Sequence, residues 1–167
     1  MKRALFIGRF QPFHIAHLKD VNEILKSYDE VLIGIGSSQE KNTFENPFSY
    51  NERKKMISKV LKGNKINNFR IYPVPDLYDD AKWIDCIKKN IPKFDIAFSG
   101  NEWTLRCFRK HNFKVKKIKL IKEISSTKIR EMIVKNGNWE ILVPQEIVKS
   151  IKNIKGVERI KRIYSKL

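Results

Sequence analysis

The sequence predicts an α/β protein: a mainly parallel sheet of five to six strands, helices on both faces, and a helical C-terminal segment. Two observations carry this. Short apolar runs alternate with amphipathic helical patterns from the first residues, and the alternation stops after about residue 123, where only helical patterns follow. Polar turns also stand directly after the first, second and fourth apolar runs, where a parallel sheet of this kind binds its ligands.

Taken in order, RALFI (3–7) reads as a buried strand, and IAHLKDVNEILKS (15–27) as a helix with Leu18, Val21, Ile24 and Leu25 on one face. EVLIGIG (30–36) is a second buried strand, followed by the polar loop SSQEKNTFENPF. Ser49 and Glu52 have capping-box spacing at the start of a helix over 50–62. FRIYPV (69–74) is a third strand and a helix follows near 81–90. FDIAFS (94–99) is a fourth strand, with the turn GN and a helix over about 102–111 after it, and FKVKKI (113–118) is a fifth, more exposed strand. ISSTKIREMI opens a further helix. The whole chain, 1–167, reads as one domain, with its α/β part over 1–123 and its helical part over 124–167.

Composition narrows the classes. No stretch approaches the apolar length of a membrane span, and MKRALFIGRF lacks a signal peptide's apolar core and cleavage site, which points to the cytoplasm. Cys86 and Cys107 have no metal-ligand spacing, so neither a disulfide framework nor a zinc site is indicated. The net charge of +17 comes mostly from lysines spread along the chain rather than clustered beside aromatics. It reads as a solvated surface before it reads as a nucleic-acid footprint.

GRFQPFHIAH (8–17) carries the first chemistry. Gly8 ends the strand and permits close backbone approach to a ligand, and Pro12 stiffens the turn. With a helix starting near His14, His14 and His17 share a face beside the free amides and positive dipole end of its first turn. Arg9 adds to what is then an anion site. A zinc site is the rival reading, but His111 is remote and no cysteine completes the set. A core or capping role for one histidine is the bland alternative. The segment lacks the glycines of a dinucleotide fingerprint. In the second half, Ser125, Ser126 and Thr127 stand at a helix start with Arg130 one turn on, a second anion cradle or else an ordinary cap.

At this point the chain resembles a known family. GRFQPFHIAH, IGIGSSQEKNTFENPFSYNERKKMI, IYPVPD, the tryptophan of AKWI, PKFDIAFSGN, SSTKIR and NWEILVP…IKGVERI resemble, in order, segments of the archaeal-type nicotinamide-mononucleotide adenylyltransferases. These belong to the HxGH nucleotidyltransferase superfamily. The resemblance covers essentially the whole chain and implies a Rossmann-like fold. It also implies adenylyl transfer from ATP to nicotinamide mononucleotide, giving NAD and pyrophosphate by in-line attack of the 5′-phosphate, without a protein nucleophile.

Carried over residue by residue, the resemblance implies that Gly8, Arg9 and Phe10 line the adenosine side, with Gly100 and Asn101 after the fourth strand. His14 and His17 would bind the triphosphate, and Ser125, Thr127 and Arg130 its β/γ end. His14, His17, Arg9 and Arg130 would carry catalysis. Phe13, Ser37, Gln39, Asn46, Phe48 and Trp83 fall on the nicotinamide side, Trp83 as a stacking platform for the pyridine ring. No carboxylate cluster is visible for a metal, so Mg²⁺ is expected on the ATP phosphates. A homo-oligomer, commonly a hexamer in the family, is implied as well. Ala16 stands where the family has glycine, and Glu102-Trp103-Thr104 departs from the family's pattern after Gly100-Asn101. A sister nucleotidyltransferase with another phosphate acceptor is the nearest rival. A basic nucleic-acid-binding protein is the rival from another class.

Overall fold

A computed structural model describes all 167 residues. The elements run β1 (Arg3–Gly8), α1 (Ile15–Leu25), β2 (Glu30–Ile35), α2 (Tyr50–Gly63), β3 (Phe69–Pro73), α3 (Asp80–Asn90) and β4 (Ile96–Ser99). They continue with α4 (Glu102–Lys110), β5 (Val115–Lys117), α5 (Ser126–Val134), a 3₁₀ turn (Trp139–Leu142), α6 (Gln145–Asn153) and α7 (Gly156–Tyr164). The chain divides into two compact units whose segments interleave along the sequence.

The first unit holds Met1–Arg9, Lys19–Ser38 and Asn68–Leu120. Its five strands are all parallel, in the order β3-β2-β1-β4-β5. β1 is central because four consecutive residues, Ala4 to Ile7, are apolar and buried on both faces of the sheet. Leu5 pairs with Leu32 on one side and with Ala97 on the other. Strand order reverses between β1 and β4, so right-handed crossovers send the connections before and after that point to opposite faces. Beneath α3 and α4, Leu5, Leu32, Ile84, Ile87 and Phe108 form the core. β5 is shorter than the sequence suggests: only Val115 is even half-buried, and the two lysines beside it face solvent as they do on a managed sheet edge. Arg3 and Arg70 both bond to Glu30 at the amino edge of the sheet, and chiefly the Arg70 bond holds that carboxyl below its ordinary range.

The second unit holds Phe10–Leu18, Gln39–Asn67 and Ile121–Leu167. It is helical: α6 packs on α2, and α7 packs on both α5 and α6. The capping box that opens α2 is present, with Ser49 N–H donating to Glu52 at 2.8 Å and Glu52 N–H donating to the Ser49 hydroxyl at 3.2 Å. Gly156 starts α7 where the backbone passes against Phe48 and Ile151. A β-carbon there would lie 2.9 Å from Phe48 Cε1, 2.9 Å from Ile151 Cγ2 and 3.0 Å from the Ile151 carbonyl oxygen. None of these is the loose end of a flexible chain. Gly156→Ala is therefore expected to destabilise the protein by about 1–3 kcal/mol, read from the urea midpoint at unchanged slope.

Candidate active site

The segment that follows β1 is held by its own side chains. Phe10 has φ 53°, left-handed for a non-glycine residue, and the Gln11–Pro12 peptide bond is cis. Gln11 is 1% exposed. Its side-chain amide closes on both ends of one distant residue: Nε2 donates to the Phe48 carbonyl at 2.9 Å, and Oε1 accepts from Phe48 N–H at 3.0 Å. Helix α5 then ties to the same turn. Arg130 Nη1 donates to the Gln11 carbonyl at 2.9 Å, and the Ser126 hydroxyl donates to the Pro12 carbonyl at 2.9 Å. GRFQPFH, ENPF and SSTKIR, distant in sequence, thus meet within the second unit through the backbone of residues 11, 12 and 48.

The two histidines form a reciprocal cap. His14 precedes α1, and its carbonyl accepts the first helical bond, from Leu18 N–H at 3.2 Å. His14 N–H donates to His17 Nδ1 at 3.2 Å, and His17 N–H donates to His14 Nδ1 at 3.4 Å. This is the capping-box pattern with imidazoles in place of a hydroxyl and a carboxylate. The rings stack at 3.5 Å between centroids, 13° from parallel. Because both Nδ1 atoms accept, both neutral rings must carry their proton on Nε2. Burial lowers the His14 pKa to about 4. His17 is held well below the usual histidine range, by burial first and by the nearness of His14 second. Phe10 and Phe13 close around the His17 ring at 4.9 and 5.3 Å. Both rings are therefore uncharged at neutral pH. Ala16 lies within this helical turn and has no left-handed φ, so replacing the family's glycine costs the backbone nothing there.

At α5, Ser125 is the cap, its hydroxyl accepting from Lys128 N–H at 3.1 Å. Ser125 and Thr127 are exposed. The amides of residues 126 and 127 open the helix and have no carbonyl four residues back to bond. Arg130, in contrast, is only 2% exposed and lies 5.4 Å from the Phe44 ring, with Nη2 also donating to the Thr127 hydroxyl at 3.4 Å. Its visible role is to brace the turn at Gln11. On the other side of the ENPF segment, Arg159 bonds Glu52 through both terminal nitrogens at 2.8 Å, and Nη1 also reaches the Pro47 carbonyl at 3.1 Å. Burial alone would raise the Glu52 carboxyl, but the Arg159 and Ser49 bonds overcome it and hold Glu52 below its ordinary range.

In the first unit, Arg9, Asn101 and the half-exposed Gly8 and Gly100 stand at the carboxyl ends of β1 and β4. Asn101 caps α4 by accepting from Thr104 N–H at 3.0 Å. Ser37, buried and with φ 46°, follows β2. Trp83 departs from the expectation: it is 3% exposed in the first unit's core, edge-on to Trp103 at 5.2 Å and to Phe108 at 5.4 Å. Trp103, 39% exposed, is the member of the pair with ring surface in solvent. Phe13 and Phe48, also expected beside the ligand, are core side chains of the second unit. Gln39, in the second unit's own share of the chain, is exposed. The sequence reading assigned no role to Gln11 or Arg159, although both lie in the quoted segments GRFQPFH and IKGVERI. No group of three or more His, Cys, Asp or Glu side chains is gathered to hold a metal ion, and no helix is long and apolar enough to cross a membrane.

With this geometry in place, comparison with known proteins gives the class. Residues 5–132 match the family described as cytidylyltransferase-like, and the chain belongs to that family. Its relatives are more particular. A nicotinamide-nucleotide adenylyltransferase of Methanococcus maripaludis (strain C6) is 42% identical over 166 residues, which cover 98% of this chain and 96% of the relative. The enzyme of that name from Pyrococcus furiosus is 38% identical over 172 residues, covering 100% and 92% of the two chains. A bifunctional NMN adenylyltransferase/ADP ribose pyrophosphatase from Francisella tularensis, solved with AMP and a manganese ion, superposes with a TM-score of 0.71 at 25% identity. That match covers 99% of this chain and 56% of the Francisella chain, so this chain spans little more than half of it.

The histidine pair makes acid stability a direct readout. In the folded chain His14 and His17 bind protons only well below the 6.5 of an ordinary histidine, so unfolding takes up protons in acid. Their contribution to stability is complete above about pH 6.5 and is lost as pH falls towards about 4. Asp20 acts in the opposite sense, since burial raises it to about 6. The comparison is therefore with the double variant His14→Gln/His17→Gln, whose Tm is expected to change less than the wild type's between pH 7 and pH 4.5. Parallel Tm curves would refute the neutral pair.

Proposed function

We propose that this protein transfers the adenylyl group of ATP to the 5′-phosphate of nicotinamide mononucleotide, giving NAD and pyrophosphate. The observation that carries the reading is the meeting of GRFQPFH, ENPF and SSTKIR in one unit, in a chain whose near-full-length relatives bear that activity in their names. An oxygen of the 5′-phosphate attacks the α-phosphorus in line, and the bond from that phosphorus to the bridging oxygen of the β-phosphate breaks. No proton need pass through a protein nucleophile, so the side chains act by position and by charge.

His14 and His17 point Nε2–H donors at the triphosphate, where negative charge gathers on the departing pyrophosphate. Donors that are already uncharged and already oriented need neither proton uptake nor reorganisation. Arg9 adds a full positive charge from an exposed position, and Ser125, Thr127 and the opening amides of α5 receive the β/γ end with Arg130 behind them. Phe10, Gly8, Gly100 and Asn101 belong to the adenosine, and Ser37, Gln39 and Asn46 to the nicotinamide nucleotide. Phe13, Phe48 and Trp83 support these groups from the core. The divalent cation, Mg²⁺, enters as part of the substrate, on the ATP phosphates. The reaction belongs in the cytoplasm, and a homo-oligomer is expected by analytical ultracentrifugation.

His14→Asn and His17→Asn test the roles, because asparagine still caps a helix through its oxygen but lacks the ring donor. Each is expected to lower kcat for pyrophosphate release by about 10²–10³-fold with a Tm near that of the wild type. Turnover within about threefold of the wild type would remove the histidines from the mechanism. Activity with a different phosphate acceptor, and none with nicotinamide mononucleotide, would overturn the reading itself.

A further inference from the structure

The backbone of residues 46–49 bonds in different directions. Asn46 N–H donates to the Thr43 hydroxyl at 3.0 Å within the loop, and Ser49 N–H donates to Glu52 of α2. The Pro47 carbonyl accepts from Arg159 of α7 at 3.1 Å. Phe48 alone turns to the segment after β1, and both its N–H and its carbonyl go to the Gln11 side chain, at 3.0 and 2.9 Å. Holding both ends of one residue fixes the peptide planes on either side of it, whatever side chain Phe48 carries.

The backbone of the same turn continues the link. Arg130 of α5 donates to the Gln11 carbonyl and Ser126 to the Pro12 carbonyl, each at 2.9 Å. The Gln11 side chain is 1% exposed, so water cannot take over its bonds when loop and turn move apart. Buried polar groups are costly to leave unpaired. The loop before α2, the turn before the histidine pair and the start of α5 are thereby held in one mutual arrangement.

We propose that Gln11 is a positioning residue for the transfer step: it keeps the ENPF loop in register with the turn that carries His14 and His17, and it touches neither substrate. The inference rests on the adenylyl-transfer reading above, in which those two segments serve the acceptor nucleotide and the triphosphate. In-line attack needs the 5′-phosphate oxygen and the α-phosphorus to meet along one line. A misplacement of ~1 Å, introduced away from the reacting atoms, costs about 10²-fold in rate. Binding of either substrate alone makes no such demand, because each segment keeps its own contacts when the link between them is cut. The Ser126 hydroxyl acts in the same sense from the side of α5, through one bond instead of two.

The test follows pyrophosphate release by the full chain from ATP and nicotinamide mononucleotide, with Tm as the folding control. Gln11→Met keeps the length of the side chain and removes both bonds to Phe48. It is expected to lower kcat by about 30–100-fold, while KM for each substrate, and Kd for each nucleotide alone by calorimetry, stay within about threefold of the wild type. Ser126→Ala is expected to lower kcat by about 3–10-fold, and Ser126→Thr, which keeps the hydroxyl, to restore it. Val60→Ala, at a fully buried α2 position whose side chain makes no hydrogen bond, is expected to lower Tm and leave kcat as it is. A folded Gln11→Met with kcat within about threefold of the wild type overturns the inference. So does a kcat loss as large in Val60→Ala, or a loss that lies in KM or Kd for one substrate, which would make Gln11 part of that substrate's own site. Should Gln11→Met fail to fold, the Ser126 pair decides, and equal kcat in Ser126→Ala and Ser126→Thr overturns the inference. If the wild type does not adenylate nicotinamide mononucleotide, the underlying reading fails instead.

Discussion

The second unit depends on one side chain seizing one peptide. Gln11 satisfies both the N–H and the C=O of Phe48, a pairing like one rung of a sheet, made where no strand exists. Buried backbone groups must find partners, and in an irregular loop those partners can come only from side chains. Once Gln11 is fixed, its own carbonyl becomes an acceptor for Arg130, and the next carbonyl, of Pro12, becomes one for Ser126. The hydrogen bonds thus run from a loop before α2, through the turn after β1, to the start of α5. Losing the Gln11 amide would strand two buried groups on Phe48 at about 1–3 kcal/mol each, and would release the loop that carries Asn46.

Electrostatics follows from the same enclosure. A histidine pair with charge on both rings could not stack at 3.5 Å in a half-buried turn. Reciprocal capping resolves this by turning each Nδ1 into an acceptor, which leaves the proton on Nε2. Both rings thereby stay uncharged at neutral pH, in a chain whose overall charge is +17.

Much of this was legible in the residues, and the part that was not has a physical reason. The sheet could be read because β1 and β2 are buried on both faces and appear as unbroken apolar runs. The Ser49–Glu52 box could be read because it closes within one turn. The spacing of His14 and His17 placed them together, but not as each other's cap, since that position usually holds a hydroxyl, amide or carboxylate. Gln11–Phe48 and Arg159–Glu52 were hidden because each joins elements far apart in sequence, the first by gripping backbone, which leaves no mark in the partner's residue type.

The aromatic residues show where residue type misleads. Trp83, Phe13 and Phe48 have the chemistry to stack on a flat ring, but that same apolar surface is what a core recruits first, and all three were recruited. Polar residues behave in the opposite way. An asparagine reaches the interior only at a desolvation cost, and Asn46 stays buried where its loop is held, by its own bonds with Thr43 and by the grips on Phe48 and Pro47.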